Sequence, residues 1–203
     1  FSTLLTNESN GNIAITDQNL TVSSGTISVD NANLLNATTT GTVTAAIDLT
    51  EDVDELATLS GTGAYTIVIA SGDATGSTAA EFNTINSATT VAIDASEVTA
   101  LASSNLSDVK TLLTAANDTD QFTDSTGKVS FGGLTAVAIA DATVDVSDFN
   151  DAVTQANTAT GKTTAANGGG ATVFTLSNAT AFNGGTAADL SLIHISEPTR
   201  LHG

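Results

Sequence analysis

Cysteine, methionine and tryptophan are missing from this 203-residue sequence, which holds one proline, one tyrosine and two histidines. Without cysteine there is no disulfide scaffold and no thiolate metal site. Basic residues are nearly as scarce: four Lys and Arg stand against 22 Asp and Glu, a formal net charge of −18. A surface of that sign repels nucleic acid and anionic membrane, because little on it can neutralise phosphate, and it attracts divalent cations. No run approaches the roughly 20 apolar residues of a membrane span. Neither nucleic acid nor membrane insertion is expected.

Much of the little that is rare sits at one end. The last 13 residues, Ser191 to Gly203, contain both histidines, the only proline and the only arginine. This stretch resembles translated sequencing-adapter sequence of the kind that ends truncated metagenomic reading frames, and it is set aside from fold reasoning. The expectation is a single segment over 1–190 from a chain cut at both ends, followed by a non-native tail over 191–203. Residues 1–190 then hold no histidine or arginine and three lysines, Lys110, Lys128 and Lys162. Ser-His-Asp and Cys-His catalysis lack their parts, and so do His- or Cys-based zinc sites. Acid–base chemistry would need paired carboxylates. Most candidate Asp residues (Asp30, Asp48, Asp94, Asp141) fall just after strand patterns, where they serve to cap turns. No catalysis is expected.

What is abundant is small and aliphatic. Hydrophobic residues make up 40% of the chain but aromatics only 4%, a mixture that fills a thin, layered interior better than a thick globular one. β-Branched clusters recur in register, which argues against disorder. The clearest unit is Ala64 to Asp94. There a strand at Thr66–Ala70 leads through a Gly/Ser/Asp turn into a short helix, and a Thr-Thr step opens the next strand, Thr90–Asp94. Val43, Ile67 and Val91 are spaced 24 residues apart, a period that fits one strand and one two-turn helix per repeat. Thr78 with Glu81 matches a capping box, with Phe82 and Ile85 as the buried pair.

Closer-spaced strands are expected upstream, in short rungs over 12–41: Asn12–Thr16, Leu20–Val22 and Thr26–Asp30, with at most a turn around Ala32–Leu35. Longer rungs follow over 42–190. They comprise a strand at Thr42–Asp48, a helix over Thr50–Leu59 capped by Thr50, a short helix from Ser96 and another from Ser107. A strand at Ala136–Asp141, a helix from Ser147 and a strand at Thr172–Leu176 complete them. The stretch 95–134 reads as an elaborated rung. The architecture this predicts is an α/β solenoid of short parallel strands alternating with short helices or turns. A compact α+β arrangement is the alternative, and an all-β sandwich fits worse because capped helical patterns recur.

Few residues carry chemistry. Asp118, Asp120 and Asp124 alternate along one loop, as hard-oxygen calcium ligands do, without the glycine and terminal Glu of an EF-hand. They are the candidate metal ligands. Calcium is the only cofactor considered, and the fold is expected to require none. Gly168–Gly170 lacks the helix and lysine of a phosphate loop. The Ser71–Gly76 turn likewise lacks the lysine and the glycine spacing of a nucleotide-binding unit. Tyr65 reads as a packing residue. Threonines at strand starts (Thr42, Thr66, Thr90) suggest hydroxyls bonding between stacked strands rather than a flat ice-binding array.

The phrases NANLLNATTTGTVTAAI, DELATLSGTGAYTIVIA and EFNTINSATTVAIDASEVTAL resemble repeat units of large bacterial secreted or surface proteins of adhesin-like or S-layer-like type. The likeness covers about residues 26–105 well and 129–190 loosely. It implies an extracellular or cell-surface location, and neighbouring repeats of the same chain as the main partner. Cell-surface polysaccharide is a further partner under the same reading, and a carbohydrate-binding or carbohydrate-active module is the alternative function. No GGxGxD calcium nonapeptide is present, so no calcium ligand carries over from the resemblance.

Overall fold

The computed structural model describes residues 2–70, 72, 76–117, 129–131, 134–159, 172–176 and 178–185. In chain order these form α1 (Ser2–Ser9), β1 (Leu20–Ile27), α2 (Val29–Thr38), β2 (Val43–Ile47), α3 (Val53–Leu56), β3 (Ala64–Thr66), α4 (Ala79–Ala88) and β4 (Ile93–Asp94). They continue with β5 (Ala100–Ser104), α5 (Leu106–Asn117), β6 (Val129–Ser130), β7 (Ala136–Ile139), β8 (Thr143–Asp145), α6 (Val146–Ala159), β9 (Val173–Thr175) and β10 (Ala181–Asn183). The protein is mixed α/β, with parallel strands in small sheets ordered β1-β2-β3, β4-β6, β5-β7-β9 and β10-β8. Every strand pairing among the described residues is parallel.

Two helices show how the sequence builds the unit. α2 and α4 are each ten residues long and start from a hydroxyl N-cap, Ser28 and Thr78. Thr78 and Glu81 form the expected capping box, and Phe82 and Ile85 are buried as expected. Each cap satisfies an N–H that the first helical turn leaves without a partner. Both helices end at a threonine in extended conformation, Thr39 and Thr89, and the chain passes directly into the approach to the next strand. The helices bury equivalent positions, Val29, Ala32 and Leu35 in α2 and Ala79, Phe82 and Ile85 in α4.

Those terminal threonines turn inward. Thr89 is 1% exposed; its hydroxyl donates to the Tyr65 carbonyl at 2.8 Å and accepts from the N–H groups of Tyr65 and Val91, each at 3.1 Å. Thr39 repeats the arrangement, donating to the Thr16 and Gln18 carbonyls and accepting from Gly41 N–H. Thr40, Thr90, Thr135, Thr172 and Thr180 each donate to a carbonyl 24 to 38 residues earlier in the chain. On the helical side, Asn33 Nδ2 donates to the Thr58 carbonyl while its Oδ1 accepts from Ser60 N–H, and Asn83 Nδ2 donates to the Asp108 carbonyl.

One hydrophobic cluster runs from Ile27 to Ala156. It is built mainly from Val, Ile, Leu and Ala, with Phe82 edge-on to Phe131 at 5.6 Å and Phe149 edge-on to Phe174 at 5.5 Å. Tyr65 is wholly buried, as its packing role requires. A Cβ on Gly63 would lie 2.5 Å from Tyr65 Cζ and 2.8 Å from the Val43 carbonyl, so the ring occupies the space a side chain at 63 would need.

Several expectations are corrected. The even 24-residue spacing is not the stacking register: Thr44 pairs Ala64, Val68 bridges Asp94, and Ala100 pairs Ala136. Strands align through side-chain burial and the closing threonine, so connections of different length fit between them. Asn12–Thr16 is not a strand and follows α1, although Ile15 is buried. The expected turn at Ala32–Leu35 is the middle of α2, and Asp30 lies in its first turn rather than after a strand. The short helix from Thr50 starts at Val53, because Asp52 and Glu55 form a full capping box while Thr50 bonds back to Asp48. Ser96 opens no helix. Val98 and Leu101 are buried, but Leu101 lies in β5. α5 buries Val109, Leu112 and Leu113, and α6 buries Phe149 and Ala156 with Val153 partly buried against the core.

Thr89→Val keeps the shape but removes the hydroxyl, leaving the buried Tyr65 N–H and carbonyl and the part-buried Val91 N–H without that partner. Unsatisfied buried groups cost about 1–3 kcal/mol each, so urea unfolding is expected to show a loss of about 2–4 kcal/mol, whereas Thr89→Ser keeps most of the stability. Tyr65→Phe is expected to melt at the same or a higher temperature than the parent. The Tyr65 hydroxyl is buried without a partner among the described residues, and burying such a group is unfavourable.

Candidate functional site

The three candidate calcium ligands, Asp118, Asp120 and Asp124, lie outside the described residues, as do Gly168–Gly170 and the tail over 191–203. Among the described residues, no group of three or more His, Cys, Asp or Glu is placed to hold a metal ion. No helix among them is long and apolar enough to cross a membrane.

Many of the described carboxylates accept from backbone N–H groups. Asp48 follows β2 and accepts from the Thr50 N–H and hydroxyl and from the Thr26 hydroxyl. Those bonds, the Thr50 N–H foremost, hold its carboxyl below the usual range. Asp94 accepts from Ser96 N–H, Asp141 from Leu106 N–H at 2.7 Å, and Asp145 from Ser147 and Asp148 N–H. Asp48 and Asp94 therefore cap the turns that follow their strands as expected, whereas Asp141 reaches back to the start of α5 and Asp145 serves the start of α6.

Carboxylates converge in two places on the helical side. Beside the start of α2, Glu51 accepts from Val29 N–H at 3.2 Å, and a small recess there is lined by Asp30, Glu51, Glu55 and Thr58. Burial pushes the Glu51 carboxyl up; the Val29 N–H counters this, and the charges of Glu55 and Asp48 add to the rise. One helix further on, Asp54 in α3 is raised by a shared hydrogen bond with Glu81 of α4 and by that residue's charge. Each of these acids also serves a helix start, in a capping box (Glu55 and Glu81), in a bond to the first N–H (Glu51) or in a first turn (Asp30 and Asp54).

The one described lysine sits between α5 and α6. Lys110 Nζ bonds Asp148 at 2.5 Å and lies 3.6 Å from Asp151, and the Asp148 bond foremost raises its pKa. An open groove of about 460 Å³ runs beside it, lined by Ser107, Lys110, Thr111, Thr114 and Asp148. The Thr114 hydroxyl donates to Gln155 Oε1 across the same pair of helices. The lysine is thus engaged in joining two helices, and among the described residues no His, Cys or second cation lines the groove.

Inspection of the sequence missed the residues with the most buried polar work, Thr39 and Thr89. The expected strand-start threonines, Thr42 and Thr66, are not the bridging ones; Thr90 is. The Thr-Thr step directly after a ten-residue helical pattern is the signal that could have found Thr39 and Thr89. No family model, curated protein or solved structure matches the chain.

Glu51 generates a pH prediction with a definite sign. Its folded pKa lies above the unfolded value, so as pH falls from 7 the folded carboxyl takes its proton first and folding is favoured, the gain being complete below the unfolded pKa. Thermal melts are expected to rise on mild acidification towards pH 5. Glu51→Gln, which keeps an acceptor for Val29 N–H, is expected to match or exceed the parent at pH 7 and to show a smaller rise. A fall in melting temperature over that range would contradict the assignment.

Proposed function

We propose that this chain is a non-catalytic structural or adhesive segment of a large extracellular or cell-surface bacterial protein, organised as a solenoid whose main partners are neighbouring repeats of the same longer chain. The observation that carries the reading is the uniform parallel pairing of strands with helices returning between them, fastened by threonine hydroxyls that reach from each unit to the one before. In such stacks each unit buries its face against its neighbours. The engagement of the described carboxylates and of Lys110 in backbone caps and helix pairing supports a structural rather than a chemical use of charge. The acidic exterior suits a soluble surface protein. Calcium at Asp118, Asp120 and Asp124 is an accessory ligand in this reading, and cell-surface polysaccharide is the partner of an adhesive role.

The test is incubation of the purified chain with a panel of soluble and insoluble bacterial polysaccharides, with reducing-end release and retention both measured. No reducing ends are expected, and retention on an insoluble polysaccharide would support adhesion. Steady release of reducing ends would overturn the non-catalytic reading in favour of a carbohydrate-active module.

A further inference from the structure

β1 is the outermost strand of its sheet, paired with β2 alone among the described residues. Its register is regular at both ends, Leu20 opposite Val43 and Thr21 opposite Thr44, then Thr26 opposite Ala46 and Ile27 opposite Ile47. Between them the four residues Val22 to Gly25 face the single residue Ala45. Ser23, Ser24 and Gly25 are exposed, whereas Val22 packs against the core and Ile27 is buried. Gly25 has φ +76° with open space around it. Taking out Ser23, Ser24 and Gly25 would leave Leu20-Thr21-Val22-Thr26-Ile27, an inward–outward alternation that matches β2 residue for residue.

The insertion serves no pairing that the structure shows. β2 pairs β3 without a register shift. β5, the first strand of the other three-stranded sheet, has a smaller shift, with Ala102 and Ser103 facing Ala138 between Leu101–Val137 and Ser104–Ile139. Its far side is met by the chain itself, where Ala102 N–H donates to the Ser77 carbonyl. β1 has no such cover: no backbone hydrogen bond joins it to α1 or to another described segment on its far side. An open strand edge is a template for another chain, and a bulge is a way of spoiling it.

We infer that the Ser23–Gly25 insertion is a guard on the exposed edge of β1, preventing a strand from a second copy of this chain from adding in parallel. The strand retains the alternation needed for pairing on its inner side and loses the straight row of N–H and C=O groups on its outer side. The inference rests on the β1–β2 register among the described residues and concerns separate copies of the chain; strands connected within one chain pair across the irregularity, as β2 does.

The test compares the full chain with a variant lacking Ser23, Ser24 and Gly25 by sedimentation velocity over a concentration series. About 0.3 M salt is used so that the net charge of −18 is screened within less than about 8 Å. The unaltered chain is expected to remain monomeric, and the folded deletion variant to form dimers or larger species that increase at least tenfold across the series. A folded deletion variant that stays monomeric, or an unaltered chain that associates equally, would overturn the inference. Should circular dichroism show that this variant does not fold, removing Ser24 and Gly25 alone leaves the single extra residue that β5 accommodates. More association than the unaltered chain then supports the guard, and none contradicts it.

Discussion

The fold depends on what happens where a helix hands over to a strand. At that junction several backbone groups turn inward, where water cannot satisfy them, and an unpaired buried amide costs as much as several good packing contacts contribute. Thr89 answers the problem with one atom: its hydroxyl oxygen takes two N–H groups while its proton goes to the carbonyl of the preceding unit. Thr39 does similar work at the end of α2, donating to two carbonyls and taking one N–H. A serine could make the bonds, but threonine also fills the small space between layers and favours the extended backbone seen at both positions.

Fastening strands by short side chains explains the composition. Parallel strands joined this way lie close together, and the core between them and the helices is built mainly from Val, Ile, Leu and Ala with few rings. Tyr65 shows how tight the limit is, since its ring fits only because residue 63 is glycine. The acidic residues follow from the same economy of parts. Short helices need their first N–H groups satisfied and benefit from negative charge at that end, and almost every helix start here is served by Asp, Glu, Ser or Thr. The consequence is crowding of like charges, felt at Glu51 and Asp54, in a chain with few cations to relieve it.

Legibility from sequence followed the strength of local signals. Capping boxes with an apolar pair behind them are complete statements, so α4 with Thr78, Glu81, Phe82 and Ile85 was readable in detail. α5 and α6 were readable from their apolar spacing. The mixed α/β character followed from strands alternating with such helices. α2 was obscured because Ala and Asn fill much of it, leaving little contrast between faces, and its start looked like the end of a strand. At Thr50 two capping sets overlapped, and the set with both halves of a box, Asp52 and Glu55, prevailed. The stacking register was hidden because sequence spacing measures connection length, whereas alignment is set by which side chains point inward. The charge-bearing residues were readable as turn formers, yet the buried hydroxyls were not, since threonine is common throughout and nothing local marks one as buried.

The most direct measurement of the threonine account is native-state amide hydrogen exchange on the unaltered chain. Tyr65 and Val91 N–H, whose acceptor is the Thr89 hydroxyl, and Gly41 N–H, whose acceptor is Thr39, should be protected to about the same degree as ladder amides such as Ile69, which donates to the Asp94 carbonyl. Exchange of Tyr65 and Val91 at rates near those of exposed loop amides, while Ile69 stays protected, would contradict the claim that the buried threonines hold the units together.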